Sequence, residues 1–114
     1  MTRGTIVLTK FPFSNLKSSK RRPAVILSSK SKEGDFIVAF ISSKIPEENP
    51  PSYIIIKKSE ADFSSSGLKV DSVVRTDKLA TLNTTVFAGE LGFFSSRIMK
   101  KIEEGLKISL GIQN

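Results

Sequence analysis

Apolar residues in this chain come in short unbroken runs, separated by polar stretches rich in Ser, Gly and Pro. "GTIVLTKF" (4–11) is β-branched and follows a glycine, which predicts a strand. "PFSNLKSSKRR" (12–22) is built of turn residues and cations and reads as a loop. "PAVILSS" (23–29) is apolar at successive positions. Both of its faces look buried, as in a central strand. "KSKEGD" (30–35) is a turn, and "FIVAFISS" (36–43) is a second doubly apolar strand ending in two hydroxyls. The prolines of "KIPEENPP" (44–51) exclude regular structure there. "SYIIIK" (52–57) is a short strand, and "SEADFSSSGLK" (59–69) is a connector with room for one helical turn. "DSVVRTDKLATL" (71–82) and "TVFAGEL" (85–91) are strand-like.

"GFFSSRIMKKIEEGLKISLG" (92–111) carries the helical period. Ile98, Ile102, Leu106 and Leu110 recur every four residues with Met99 beside them, Ser95 or Ser96 is placed to cap the start, and Gly111 follows the last apolar residue. Gly105 inside this stretch is a mild cost to helix formation. Strands adjacent in sequence, with no crossover helices, pair antiparallel. The predicted fold is mainly β: a small SH3-like barrel of about five to seven short antiparallel strands, closed by a C-terminal α-helix. A length of 114 residues suits one domain spanning 1–114. No repeat is visible.

Composition narrows the chemistry. The chain has no cysteine and no histidine. That excludes disulfides, thiolate metal sites and an imidazole acid or base. Catalysis would have to use Asp, Glu, Lys, Arg, Ser, Thr or the single Tyr53. No apolar run approaches the roughly 20 residues that span a bilayer. The N-terminus is too short and mixed for a secretory signal. A cytoplasmic location without membrane contact is expected.

The charge of +7 is unevenly spread. Residues 1–32 hold Arg3, Lys10, Lys17, Lys20, Arg21, Arg22, Lys30 and Lys32 and no acid, whereas the remainder is close to neutral. A local excess of this kind points to a polyanionic partner, either nucleic acid or an acidic protein segment. Within it, "KRRP" ends a basic loop at the start of an apolar strand. Pro23 restricts the backbone directly after Arg22.

Three blocks, in order and at matching spacing, resemble the PemK/MazF-like toxins of type II toxin–antitoxin systems. The first is "GTIVLTKFPFSNLKSSKRRPAVILSS", with its Phe-Pro-Phe and Arg-Pro. The second is "DSVVRTDKLATL", and the third is the Leu-Gly, Ser-initiated tail ending in "GLKISLGI". The resemblance spans almost the whole chain. It implies a plasmid-maintenance-toxin barrel and a homodimer. It also implies a sequence-selective, metal-independent endoribonuclease acting on single-stranded RNA, with no cofactor, neutralised by an acidic antitoxin. It leaves room for operator DNA binding by the toxin–antitoxin complex.

Carried over residue by residue, the resemblance places Arg22 at a catalytic Arg-Pro position. It places Ser42 where many members have a strand-end Thr, followed by Ser43, and it matches Arg75 and Asp77 to an Arg-x-Asp pair. Two departures stand out: Ser replaces Thr at position 42, and the loop histidine of some members is absent. Arg22 suits charge stabilisation, because a guanidinium can hold two phosphoryl oxygens at once. Asp77 is a candidate base for a ribose 2′-hydroxyl, and Arg75 a candidate charge stabiliser; a structural ion pair is the competing reading of the two. Lys17, Lys20, Arg21 and Ser43 are assigned to RNA binding. Strict alternation puts Val73 and Leu79 on the face of Arg75 and Asp77, so either the site lies at the wet end of the strand or the strand bulges. Phe11 and Phe13 read as packing residues, with base stacking as the competing role. Phe93 and Phe94 are expected to seat the helix. Two other functions compete with the nuclease: a toxin that poisons a protein such as DNA gyrase, and a catalytically silent RNA-binding barrel.

Overall fold

The structure, a computed structural model, describes residues 1–10 and 21–113. Six strands form one antiparallel sheet: β1 (Thr5–Thr9), β2 (Arg22–Ile26), β3 (Asp35–Ser42), β4 (Ile54–Ile56), β5 (Ser72–Asn83) and β6 (Phe87–Phe93). Their order across the sheet is β4-β5-β3-β2-β1-β6. The helix α1 (Ser96–Leu110) follows. The connector contributes a single 3-10 turn at Ser64–Ser66, and a second lies at Thr84–Val86.

The doubly apolar runs become the middle of the sheet. Ile6, Val7, Ala24, Val25 and Ile26 are all fully buried, and their alternation feeds two apolar layers. One layer joins Ile6, Val25, Ile41, Ile56 and Val74 to Phe94, Ile98, Met99 and Ile102, so the helix covers this face. The other joins Val7, Ala24, Ile26, Phe36, Val38 and Leu82, flanked by Phe40 and Phe87. The Phe36 and Phe87 rings stack with centroids 6.1 Å apart. Phe36 is on β3 and Phe87 on β6, with two strands between them in the sheet. Contact between the two is the signature of a sheet curled into a half-barrel.

Helix α1 starts where the capping signal predicts. The Ser95 hydroxyl accepts from the Ile98 N–H, and Gly111 closes the C-terminus in the left-handed conformation at φ 70°. Gly105 has a packing reason: a Cβ there would lie 2.4 Å from the Ser52 carbonyl oxygen. The glycine therefore lets the helix backbone approach the segment leading into β4. Two residues expected to bury do not. Phe93 is 58% exposed and Leu110 57% exposed. Phe93 belongs to the edge strand β6, which runs two residues further than the apolar pattern suggested, so only Phe94 turns inward under the helix. The "SYIIIK" strand shortens to Ile54–Ile56. No described helix is long and apolar enough to cross a membrane.

Candidate nucleic-acid interface

Arg22 is the first residue of β2 and is solvent-exposed. Its carbonyl oxygen accepts from the hydroxyl of Thr9, a fully buried residue directly opposite on β1, at 3.0 Å. Pro23, next in line, pairs with Leu8 on β1, and the ladder to β3 starts only at Ala24↔Phe40. The missing proline N–H therefore falls where β3 has no bond to receive. The Arg22 backbone is thus anchored on one side and stiffened on the other. Continued by two residues, the Ala24↔Phe40 register sets Arg22 opposite Ser42, the last residue of β3.

Arg22 and Ser42 meet at a cavity of about 530 Å³ at the strand ends. Arg21, Ser43, Lys44 and Lys69 also line it, over an apolar floor that includes Leu8, Ile41, Leu68 and Leu91. Among the described lining residues four are cations and none is an acid. Such a wall favours a phosphate on electrostatic grounds alone. The Ser42 hydroxyl accepts from the Lys44 N–H at 3.0 Å, which leaves its own O–H to donate.

The far wall is the connector, which is held down firmly. A Cβ on Gly67, itself at φ +73°, would sit 2.1 Å from the Leu91 carbonyl oxygen, and one on Gly92 would sit 2.2 Å from that of Ser65. Backbone meets backbone here, with no space for a side chain. Asp62 fastens the same connector to the helix start, taking two bonds from Arg97 and one from the Ser95 hydroxyl. These donors hold its carboxyl well below the ordinary range, with the Arg97 bonds foremost.

Arg75 and Asp77 do not line the cavity. They form a bidentate ion pair, Nε and Nη2 of Arg75 donating to the two carboxylate oxygens at 2.8 Å each. The Tyr53 hydroxyl donates to Asp77 at 3.0 Å, and the Arg75 guanidinium lies 4.4 Å from the centre of the Tyr53 ring. The strand bulges here: Phe40 opposes Arg75 and Ala39 opposes Leu79, which leaves Thr76, Asp77 and Lys78 without partners on β3. Arg75 and Asp77, two apart on one strand, share a face and so can clasp each other, and the bulge reverses the alternation only beyond them, which places Leu79 with Val74 in the helix-covered layer. Thr76, two residues beyond buried Val74, faces the interior, where its hydroxyl donates to the Ser52 carbonyl and lies 2.7 Å from the Ser109 hydroxyl. Arg75 holds the Asp77 carboxyl below its usual range, Tyr53 adding to the effect, and Asp77 in turn raises the Arg75 pKa.

The two groups remain neighbours on the sheet. Ser42 opposes Val73, and Phe40 opposes Arg75. Ser42 and Arg75 are therefore diagonal cross-strand neighbours, a relationship that separates Cα atoms by roughly 7–8 Å. β3 carries Ser42 between Arg22 on β2 and Arg75 on β5.

Lys17, Lys20, Phe11 and Phe13 lie outside the described residues. Arg3, counted in the basic segment, is engaged elsewhere, its guanidinium meeting Glu103 at 2.8 Å. Sequence reasoning assigned no role to Thr9, Lys44 or Lys69, and named Tyr53 only as the single tyrosine open to catalysis. No local pattern marks them: Thr9, Tyr53 and Lys69 reach their places through contacts distant in sequence, and Lys44 matters only because Ser42 beside it lines the cavity.

Comparison with known proteins agrees with this geometry. The described structure resembles a mycobacterial endoribonuclease solved in complex with its cognate antitoxin, with a TM-score of 0.77, 18% identity, and coverage of 100% of this chain and 98% of that one. It also resembles the MazE–MazF complex of Deinococcus radiodurans, with a TM-score of 0.76, 19% identity, and coverage of 99% and 97%. At these identities the likeness shows a shared fold. In sequence, the chain is 28% identical over 116 residues to an endoribonuclease MazF of Staphylococcus saprophyticus, covering 98% of this chain and 92% of the relative. The model of the PemK-like, MazF-like toxins of type II toxin–antitoxin systems matches residues 2–110. Matched along nearly its whole length, and folded as the curled half-barrel and helix of MazF structures, the chain belongs to that toxin family.

Proposed function

We propose that this chain is a toxin endoribonuclease that cleaves single-stranded RNA at selected sequences without a metal ion, and that Arg22, Ser42 and Arg75 carry the reaction. The observation that supports this most is the convergence of Arg22 and Ser42 at a cavity whose described lining holds four cations and no acid. The family match and the MazF relative add to it.

RNA brings its own nucleophile. The 2′-oxygen attacks phosphorus, the bond to the 5′-oxygen breaks, and the products end in a 2′,3′-cyclic phosphate and a 5′-hydroxyl. Arg22 holds the non-bridging oxygens while negative charge grows on them, and the Ser42 hydroxyl donates to one of them. Arg75 adds a second guanidinium one register step away. Asp77 is ill suited to be the base, because both its oxygens serve Arg75 and its carboxyl is held acidic. It orients Arg75 instead. The 2′-proton passes to solvent, and solvent protonates the leaving 5′-oxygen. Arg21, Ser43, Lys44 and Lys69, together with Lys17 and Lys20, supply affinity for neighbouring phosphates.

The protein acts in the cytoplasm as a homodimer, as one domain per chain. An acidic antitoxin silences it by occupying the same cationic surface, and the pair binds operator DNA. Solved relatives include toxins in complex with their antitoxins, which supports the antitoxin assignment.

The test is incubation of the purified protein with a long single-stranded RNA in EDTA, beside Arg22→Ala, with the product ends mapped. Discrete cuts with cyclic phosphate ends are expected, reduced at least about 100-fold in the variant. Intact RNA would overturn the nuclease reading and direct the next assay to a protein target such as DNA gyrase.

A further inference from the structure

Tyr53 belongs to no motif that led to the site, yet it touches both members of the Arg75–Asp77 pair. Its ring lies under the Arg75 guanidinium at 4.4 Å and its hydroxyl donates to Asp77 at 3.0 Å. Nε and Nη2 of Arg75 are taken by Asp77, and one face of the guanidinium by the Tyr53 ring. Among the described residues Nη1 has no partner. The guanidinium is therefore fixed in plane and in rotation, and it offers a single edge to a ligand.

We infer that Tyr53 is a positioning residue for Arg75, aiming that remaining edge at the phosphate beside Ser42. The inference rests on the reading of Arg75 as a phosphate contact. An exposed Arg–Asp pair contributes little to stability and ordinarily samples several geometries. Here stacking on the ring confines the guanidinium, and the phenol bond confines the carboxylate that steers it. Fixing the donor beforehand lowers the reorganisation needed when charge develops on phosphorus. A phenol is protonated at neutral pH, so Tyr53 is a donor to the Asp77 carboxylate.

The backbone beside Tyr53 is held without its side chain. The Tyr53 N–H donates to the Pro50 carbonyl, and the neighbouring Ser52 carbonyl accepts from buried Thr76. Loss of the ring and hydroxyl therefore leaves the loop in place, which makes a side-chain test clean.

That test is a double-mutant cycle on RNA cleavage with Tyr53→Ala, Tyr53→Phe, Arg75→Ala and the Tyr53→Ala/Arg75→Ala pair, each checked by thermal melting. Arg75→Ala is expected to lower kcat by tenfold or more. Tyr53→Ala should reproduce most of that loss, mainly in kcat rather than KM. The pair should be no worse than Arg75→Ala alone, since residues acting through one another are not additive. Tyr53→Phe, which keeps the stack and loses the phenol bond, should fall between the parent and Tyr53→Ala. Should Tyr53→Ala melt early, the Tyr53→Phe cycle replaces it. Additive losses, or a fully active Tyr53→Ala beside a crippled Arg75→Ala, overturn the positioning role alone. A fully active Arg75→Ala overturns the reading of Arg75 as a phosphate contact, and the positioning role with it.

Discussion

The buried Thr9 hydroxyl donates to the carbonyl of Arg22, the residue directly opposite it across the β1–β2 ladder, at 3.0 Å. A side chain with no exposure of its own thereby fixes the backbone that launches the exposed guanidinium at the cavity. Replacing Thr9 with Val keeps the shape and removes the donor. Thr9→Val should destabilise the fold by about 1–2 kcal/mol and lower cleavage several-fold through misplacement of Arg22. Denaturant unfolding and single-turnover cleavage measure the two effects separately. Unchanged kcat at reduced stability would show that Thr9 serves the fold alone.

Lys69 comes from the connector and faces the same cavity as Arg22. It makes no ion pair among the described residues. Its expected role is affinity rather than chemistry. Lys69→Ala should weaken binding of a non-cleavable 2′-O-methyl RNA, leave kcat nearly unchanged, and make the plot of log Kd against log salt shallower by about 0.7. Fluorescence anisotropy across a salt series reads this directly. An unchanged slope would place Lys69 outside the path of the RNA.

Gly105 permits the close approach of α1 to the Ser52 carbonyl. Alanine favours helix by intrinsic propensity, by about 1 kcal/mol. Here its Cβ would be only 2.4 Å from a backbone oxygen, so packing opposes propensity. The clash is with main chain, which cannot rotate away, and overpacking of this kind costs about 1–3 kcal/mol. Gly105→Ala should therefore lower the melting temperature. A rise would mean that the helix shifts outward at no cost.

Asp62 and Asp77 both have folded pKa values below those of free carboxyls. Each binds its proton less readily in the folded chain than in the unfolded one. Their contribution is complete above the unfolded carboxyl pKa, near about 4, and drains away as pH falls through the lower folded values. Melting temperature should be flat from neutral pH down to about 5 and then fall. Asp62→Asn should lower it at pH 7 and flatten the acid limb. An acid limb identical to the parent's would remove Asp62 from the account.

Patterning alone determined the architecture. Runs such as Ala24–Ile26 and Val38–Ala39 are apolar on both faces, and only a sheet covered on both sides can hide them. The four-residue period of Ile98, Ile102 and Leu106, with Ser95 before it and Gly111 after it, marked the helix and both its ends. The basic first quarter and the Arg-Pro at a strand start were equally local, so Arg22 could be singled out before any contact was known.

Tertiary structure decided how these parts meet. The placement of Ser42 between Arg22 and Arg75 follows from strand order, which brings β2 and β5 to either side of β3 across long stretches of chain. The bulge at 76–78 was foreseen only as one of two options, because strict alternation cannot say where a ladder breaks. The roles of Thr9, Tyr53 and Lys69 were invisible for the same reason. A hydroxyl, a ring and an ammonium acquire a role only from what lies across the space they face. Periodicity records which side of its own strand a residue takes, and the partner on that side is chosen by the fold.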